Sequence, residues 1–290
     1  MSRHGFELKT NEQIILMREA GLITAAALRE VRKAIRPGVT TLELDAIAEA
    51  AIIKRGAHSN FQLVDGYFHT ICTSVNDEIV HGIPGGRVLK AGDLVSIDCG
   101  AEKGEWNGDS AISVIVPGAD GSEPTAAEVA PATLATRRLL SDVTEESLWV
   151  GIAALAKAEH LHEVGAAIED YVVEQSEAHK QRFGILDQYV GHGIGRSMHE
   201  DPPVYNFAVR DKGPKVVPGL CVAIEPMITA GSNKTKILKD GWTVSAKDGS
   251  DASHWEHTVA VHDKGIWVLT AEDGGAARLA KYGVTPVALG

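Results

Sequence analysis

VSIDCGAEKGEWNGDSAISVIV, residues 95–116, is the stretch on which the reading of this chain turns. Two β-branched, alternating runs flank a glycine-containing segment around Gly104 and Gly108, the pattern of a β-hairpin. Asp98 lies in the first run and Asp109 opens the second. An aspartate ending an apolar strand often does no more than cap a turn, and Asp98 alone admits that reading. Two carboxylates facing each other across a hairpin repel, and the usual remedies are a cation or a shared proton. The hairpin therefore reads as one wall of a cation site.

Working outward, a helix begins at Thr10, where Thr10 and Gln13 match a capping box and Ile14, Leu16, Met17, Leu22, Leu28 and Val31 supply apolar faces. Pro37-Gly38 stops it. A second helix starts near Thr40, with Glu43 three residues on, and Gly56 is its expected C-terminal cap. TICTSVN, residues 70–76, is a further strand-like run. Beyond the hairpin, Gly118 to Pro131 reads as a surface connection, partly helical at most, and the pattern then repeats. One long helix is expected from about Thr133 to about Ala158, and a second through LHEVGAAIEDYVVEQ, residues 161–175. Strand-like runs return in GLCVAIEPMI (219–228), WTVSA (242–246), HTVAVHD (257–263) and GIWVLT (265–270). Glu43-Leu44, Ala46, Glu49 and Ile52-Ile53 can be laid on Glu163-Val164, Ala166, Glu169 and Val172-Val173. Repeated order and faint self-similarity point to an α+β fold. Two pseudo-symmetric halves, about 10–117 and 132–275, would share one antiparallel sheet with helices on its outer face, so that 1–290 forms a single domain.

The later runs add three candidate ligands. Glu256, Thr258 and Ala260 alternate with Trp255, His257, Val259 and Val261, and successive strand side chains point to opposite faces. Cys221, Ala223 and Glu225 alternate in the same way with Leu220, Val222 and Ile224. One face reads as core, the other as the wall of a polar site. A buried glutamate without a partner is costly. An arginine or lysine could serve Glu225 and Glu256, but neither local run holds one, which favours metal. His192 stands in Gly191-His192-Gly193-Ile194-Gly195, where the glycines permit close backbone approach. A phosphate loop is the alternative there, without the strand-to-helix pattern such a loop needs. His81 and His199 occupy similar glycine-rich settings. Asp98, Asp109, His192, Glu225 and Glu256 together suit two divalent ions (Co, Mn, Fe or Zn). Paired metals make water a nucleophile at neutral pH.

The 290 residues, 44% of them hydrophobic, suit one large domain or two halves with a common sheet. A formal charge of −11 disfavours broad nucleic-acid or membrane-surface binding. Cys72, Cys99 and Cys221 form no C-x-x-C pair and are odd in number, which argues for a reducing compartment, the cytoplasm. No signal-peptide core and no run of about 18 apolar residues is present.

NDEIVHGIP, DLVSIDCG with GDSA, GHGIGRSMHE, IEPM, DGWTV and WEHTV, spread in order from about residue 10 to about residue 270, resemble the type I methionine aminopeptidases. The resemblance implies the pita-bread fold and removal of the N-terminal methionine from nascent proteins and peptides when the second residue is small. It also implies a bare bacterial-type catalytic domain, without the extra N-terminal domain of prolidases or a cysteine-rich zinc extension. Asp98, Asp109, His192, Glu225 and Glu256 would be the ligands of two metal ions, with Asp109 and Glu256 bridging. Glu225 would also act as general base, and His81 and His199 would contact substrate and take part in catalysis. Trp242, Tyr67, Cys72 and Met198 would wall the methionine pocket. Phe61 and Val64 depart from the better-known members, and the segments 118–131 and 174–189 are longer than usual. The expected partners are polypeptide N-termini, with the ribosome met, if at all, through Arg29, Arg32, Lys33 and Arg36, and the chain is expected to be a monomer. Rival readings are an Xaa-Pro peptidase of the same fold, a non-catalytic binding module on that scaffold and, more remotely, a phosphate-binding enzyme.

Overall fold

The computed structural model describes residues 5–290. Two helices open it, α1 (Asn11–Ala34) and α2 (Thr41–Ile53), followed by β1 (His58–Ser59), β2 (Ile71–Val75), β3 (Glu78–Val80), β4 (Leu94–Lys103) and β5 (Trp106–Ile115). The order then repeats with α3 (Pro131–Leu155) and α4 (Glu163–His179). After them come β6 (Gly184–Ile185), β7 (Gly191–Gly193), β8 (Glu200–Val204), β9 (Cys221–Ile224) and β10 (Met227–Thr229). The chain ends with β11 (Thr235–Ile237), β12 (Val244–Ala246), β13 (Ala252–His254), β14 (His257–His262), β15 (Gly265–Val268) and the short α5 (Ala276–Leu279).

Local chemistry sets the helix starts. The Gln13 N–H donates to Thr10 Oγ1 and the Thr10 N–H to Gln13 Oε1, closing the expected box. Thr40 and Glu43 repeat it for α2. In the second pair of helices the Glu163 carboxylate accepts the His160 N–H at 2.8 Å, the same three-residue step back. Pro131 is at the first position of α3, where a missing N–H costs nothing, so the helix begins slightly before Thr133. Residues 118–130 contain turns and bends and no helix.

The strands are antiparallel throughout. Hydrogen bonding divides them into four sets: β4 with β1, β2 and β5; β15-β14-β9-β7-β8; β13-β10-β6; and β11-β12-β3. The two larger sets meet where β5 runs against the start of β14. There the Ala111 N–H donates to Glu256 O (3.3 Å) and the Glu256 N–H to Ala111 O (3.0 Å). Thr258 Oγ1 adds bonds to the backbone N–H and carbonyl of Asp109. This join is what brings acids from distant parts of the sequence side by side.

Each helix pair roofs its own core. Val31, Leu44, Ile52, Ile71, Val95 and Ile97 fill the first. Leu148, Ile152, Val164, Ile168, Val222, Ile224 and Val259 fill the second, on the apolar face that the alternation assigned. A third cluster, with Ile14, Met17, Trp106, Cys221, Ala260 and Leu269, lies along the seam between them. Helix α1 spans that seam. Its Arg18 is buried and donates to the carbonyls of Val268, Leu269, Ala271 and Glu272.

One glycine has a different task from the one expected. The hairpin turns at Gly104 and Glu105, both at positive φ, while Gly108 lies inside β5. A Cβ at Gly108 would fall 2.5 Å from the Gly21 nitrogen of α1, so this glycine lets helix and strand touch. The three cysteines are free and buried. Among the described residues no helix is long and apolar enough to cross a membrane.

Candidate active site and metal centre

Strand register explains how the five candidate ligands meet. On β4, Asp98 is paired with Cys72 of β2 on one side and Ala111 of β5 on the other. Asp109 is opposite Gly100, so the two aspartates are diagonal neighbours on one face, not directly opposed as the hairpin reading had them. In the other large sheet His192, Ala223 and Thr258 form one cross-strand row. Glu225 lies two residues beyond Ala223 and Glu256 two before Thr258, so both share that row's face. β9 ends at Ile224 because Pro226 offers no N–H to the ladder, and Asn206 Nδ2 holds the Glu225 carbonyl at 3.1 Å.

Asp98, Asp109, His192, Glu225 and Glu256 all line one cavity of about 160 Å³. Ligand atoms of Asp109, His192 and Glu256 lie within 4.8 Å of one another. Asp98 Oδ1, Asp109 Oδ1 and Glu256 Oε1 are buried and accept no hydrogen bond. Among the described residues no lysine or arginine pairs with any of the four carboxylates; Glu225 has only His192 (3.4 Å) and His254 (3.7 Å) within ion-pair reach. The arginine alternative for Glu225 and Glu256 therefore fails.

The imidazole points to the same conclusion. His192 Nδ1 lies 2.9 Å from the Gly193 carbonyl, which can only accept, so Nδ1 carries the proton. Nε2 then turns a lone pair toward Glu225 Oε1, and two electron-rich atoms face each other. Burial, aided by His199, holds His192 neutral with its pKa down to about 3. Burial lifts the Asp98 carboxyl to about 7. It also raises Asp109, Glu225 and Glu256 well above the usual carboxylate range, with neighbouring acids adding to the push. Unpaired acceptor oxygens, a neutral imidazole and mutually repelling acids form a donor set that divalent cations satisfy. The residues present fit the metal.

The rest of the cavity is apolar and aromatic. Phe61, Val64, Tyr67, Cys72, Met198 and Trp242 line it, with His81 and His199 beside the acids. Tyr67 packs edge-on to Trp242 (5.2 Å) and to Phe61 (6.2 Å). Its hydroxyl donates to Ile71 O at 2.7 Å and lies 3.2 Å from Cys72 Sγ. Because Cys72 is the cross-strand neighbour of Asp98, this pocket abuts the acids directly. Asp240 Oδ1 accepts the N–H groups of Trp242 and Thr243, fixing the turn that presents the indole. His81 has φ +59°, and the Gly82 beside it packs on the Thr73 carbonyl, too close for any Cβ. The backbone spends strain to aim that imidazole inward. Burial lowers His81 to about 4 and His199 below its usual value. The His192 and His199 rings meet at 4.4 Å.

His254 was not among the expected residues. It is buried, its Nε2 has no hydrogen-bond partner, and it faces Glu225 Oε2. The only signal in the sequence was its place two residues before Glu256; in the structure His254 ends β13, and residues 255–256 break the strand before β14.

Residues 15–263 match metallopeptidase family M24. Methionine aminopeptidase 1 of Mycobacterium tuberculosis is 46% identical over 255 residues, covering 88% of this chain and 91% of that protein. Methionine aminopeptidase 1 of Bacillus subtilis is 42% identical over 262 residues, covering 90% and 98%. The crystal structure of methionine aminopeptidase from Thermotoga maritima superposes with a TM-score of 0.82 at 34% identity, covering 92% of this chain and 100% of that one.

Proposed function

The chain belongs to metallopeptidase family M24, and from that premise we propose that it is a methionyl aminopeptidase with the pita-bread fold. It is a metal-dependent hydrolase that removes the N-terminal methionine from nascent proteins and peptides when the second residue is small. One observation carries this reading. Five potential ligands and an aromatic, sulfur-containing pocket share a single cavity, with Cys72 and Asp98 side by side at the junction.

Asp98, Asp109, His192, Glu225 and Glu256 would hold two divalent ions, Co, Mn, Fe or Zn, with Asp109 and Glu256 serving both. Ions bound there supply the Lewis acidity that makes water nucleophilic near neutral pH. Glu225 takes up the proton that the attacking water gives up, as general base, and returns it to the amine nitrogen as the C–N bond breaks. The substrate's free α-amine lies on the Asp98 side, which confines cleavage to chain ends. The methionine side chain enters between Tyr67, Trp242, Cys72, Met198, Phe61 and Val64, where a flexible thioether meets aromatic rings and sulfur. His199 donates a hydrogen bond to the oxygen of the scissile carbonyl as it becomes an oxyanion. His81, held neutral by burial, suits a hydrogen bond to the scissile amide better than a standing proton supply. The reaction is that of a cytoplasmic, monomeric enzyme. Arg29 and Lys33 are already engaged by Glu272 and Glu30, which leaves Arg32 and Arg36 to carry any ribosome contact.

The test is cleavage of Met-Ala and Ala-Pro peptides after chelation and re-addition of single divalent ions. Cation-dependent release of methionine from the first, with the second untouched, is the expected result. Cleavage of Ala-Pro alone would make the chain an Xaa-Pro peptidase, and metal-independent cleavage would remove the reading altogether.

A further inference from the structure

The described residues before α1 contribute none to the cavity, yet their lysine is buried: Lys9 is 5% exposed. Its ammonium donates to Glu200 Oε2 at 2.5 Å and to the Glu7 carbonyl at 3.2 Å. Its backbone N–H is tied to Gly219 O at 2.8 Å. Glu200 directly follows His199, and its second oxygen, Oε1, accepts the Ser197 N–H at 3.0 Å. One carboxylate thus closes a ring around Ser197–Glu200, the short segment that carries Met198 and His199 to the cavity. The lysine also packs on the glycine that begins this loop. A Cβ at Gly195 would lie 2.3 Å from Lys9 Cε and 2.6 Å from Nζ.

The loop is also tied to β5. Asn107 Nδ2 donates to the carbonyls of Gly195 (3.1 Å) and Arg196 (3.0 Å). Arg196 lies over the Trp106 ring at 4.6 Å and pairs with Glu105. Asn107 is two residues from Asp109, so this support shares a strand with one of the acids. Lys9 is a second support, reaching the loop through Glu200 and against Gly195. A buried ion pair seldom adds stability that an apolar pair could not supply. What it adds here is a fixed distance between two hydrogen-bonded groups.

We propose that Lys9 is a positioning residue for catalysis: through Glu200 it sets the register of the 195–200 loop, and so the place at which His199 meets the developing oxyanion. The proposal rests on the role given to His199 above. Neither Lys9 nor Glu200 lines the cavity, and their side chains hydrogen-bond to one another, to Glu7 and to Ser197 rather than to a proposed metal ligand.

Lys9→Met and Glu200→Gln are made in the full chain, alone and combined with His199→Ala. kcat and KM for a Met-Ala peptide are measured on cation-loaded protein, with bound metal by elemental analysis. A misplacement on the order of 1 Å can cost about 10²-fold in rate. The expected result is a kcat lowered by roughly that factor, KM little changed and metal content intact. Lys9→Arg, which keeps the charge, restores part of the rate. In the His199→Ala background neither substitution costs more, since no imidazole is left to misplace. Should Lys9→Met fail to fold, Glu200→Gln carries the test. Losses that multiply with that of His199→Ala, or that follow loss of metal, make Lys9 merely structural and overturn the proposal. Normal turnover by both clamp variants beside a crippled His199→Ala overturns it as well. Normal turnover by His199→Ala alone overturns the role of His199, and this proposal with it.

Discussion

Replacing Gly21 by alanine sets two effects of known size against each other. Gly21 lies inside α1, where alanine is the better helix former by about 1 kcal/mol. Its Cα, however, faces the Leu269 backbone across the seam. A Cβ there would lie 2.4 Å from Leu269 O and 2.8 Å from the carbonyl carbon, against an ordinary contact distance that begins at 3.4 Å. The two backbones must separate by about 1 Å, the difference between 3.4 and 2.4. Overpacking of this kind costs about 1–3 kcal/mol. The upper part of that range applies, because the carbonyl cannot retreat freely. Leu269 O accepts Arg18 Nη1 at 2.7 Å, and the Leu269 N–H is bonded to Thr258 O at 2.8 Å. The net loss is therefore about 2 kcal/mol, a fall in Tm of roughly 3–4 °C for a chain of this size. Calorimetry or circular dichroism at a fixed cation concentration measures it, since bound ions shift the transition by themselves. A Tm equal to or above that of the parent would mean that helix propensity prevails and that the close approach at the seam is not real.

Three further substitutions probe the site. His81→Ala should leave bound metal unchanged by elemental analysis while kcat falls by about 10²–10³-fold, the usual cost of removing one hydrogen-bonding group at the reacting bond; unaltered turnover removes His81 from the chemistry. Asp109→Asn should lower the metal retained after dialysis. It should also shrink the rise in Tm on adding Mn²⁺, which for a single site at 100 times Kd is worth about 2.7 kcal/mol. A full thermal response would exclude Asp109 as a ligand. Trp242→Ala opens the pocket wall that packs at 5.2 Å on Tyr67, so KM for Met-Ala should rise more than kcat falls; the reverse pattern would place the indole at the reacting bond instead.

Local signals in the sequence were reliable where the physics is local. The capping boxes at Thr10 and Thr40 depend on side chains three residues apart, and both form. The alternation through Glu256–Val261 follows from strand geometry alone, and the apolar half of it does enter the core. The acids were legible because a carboxylate inside an apolar run has few physical remedies. What could not be read depends on neighbours distant in sequence. Gly108 looked like a turn residue, since nothing nearby reveals that α1 crosses over it. Asp98 and Asp109 looked directly opposed, since the turn position that sets their diagonal offset differs by only a few residues. The four hydrogen-bonded sets of strands depend on how the two halves join, and no single run encodes that. Nothing local beyond its spacing from Glu256 marks His254 as a site residue, because its role appears only once Glu225 is seen across the gap.

The join between Ala111 and Glu256 has a wider consequence. Asp98 and Asp109 come before the exposed connection at residues 118–130, and His192, Glu225 and Glu256 come after it, so each portion carries an incomplete set of ligands. A cation held by both would act as a rivet between them. Protein nicked within the connection would still be held by the apolar seam and by Arg18, and the bound ion would raise the temperature at which the two fragments part.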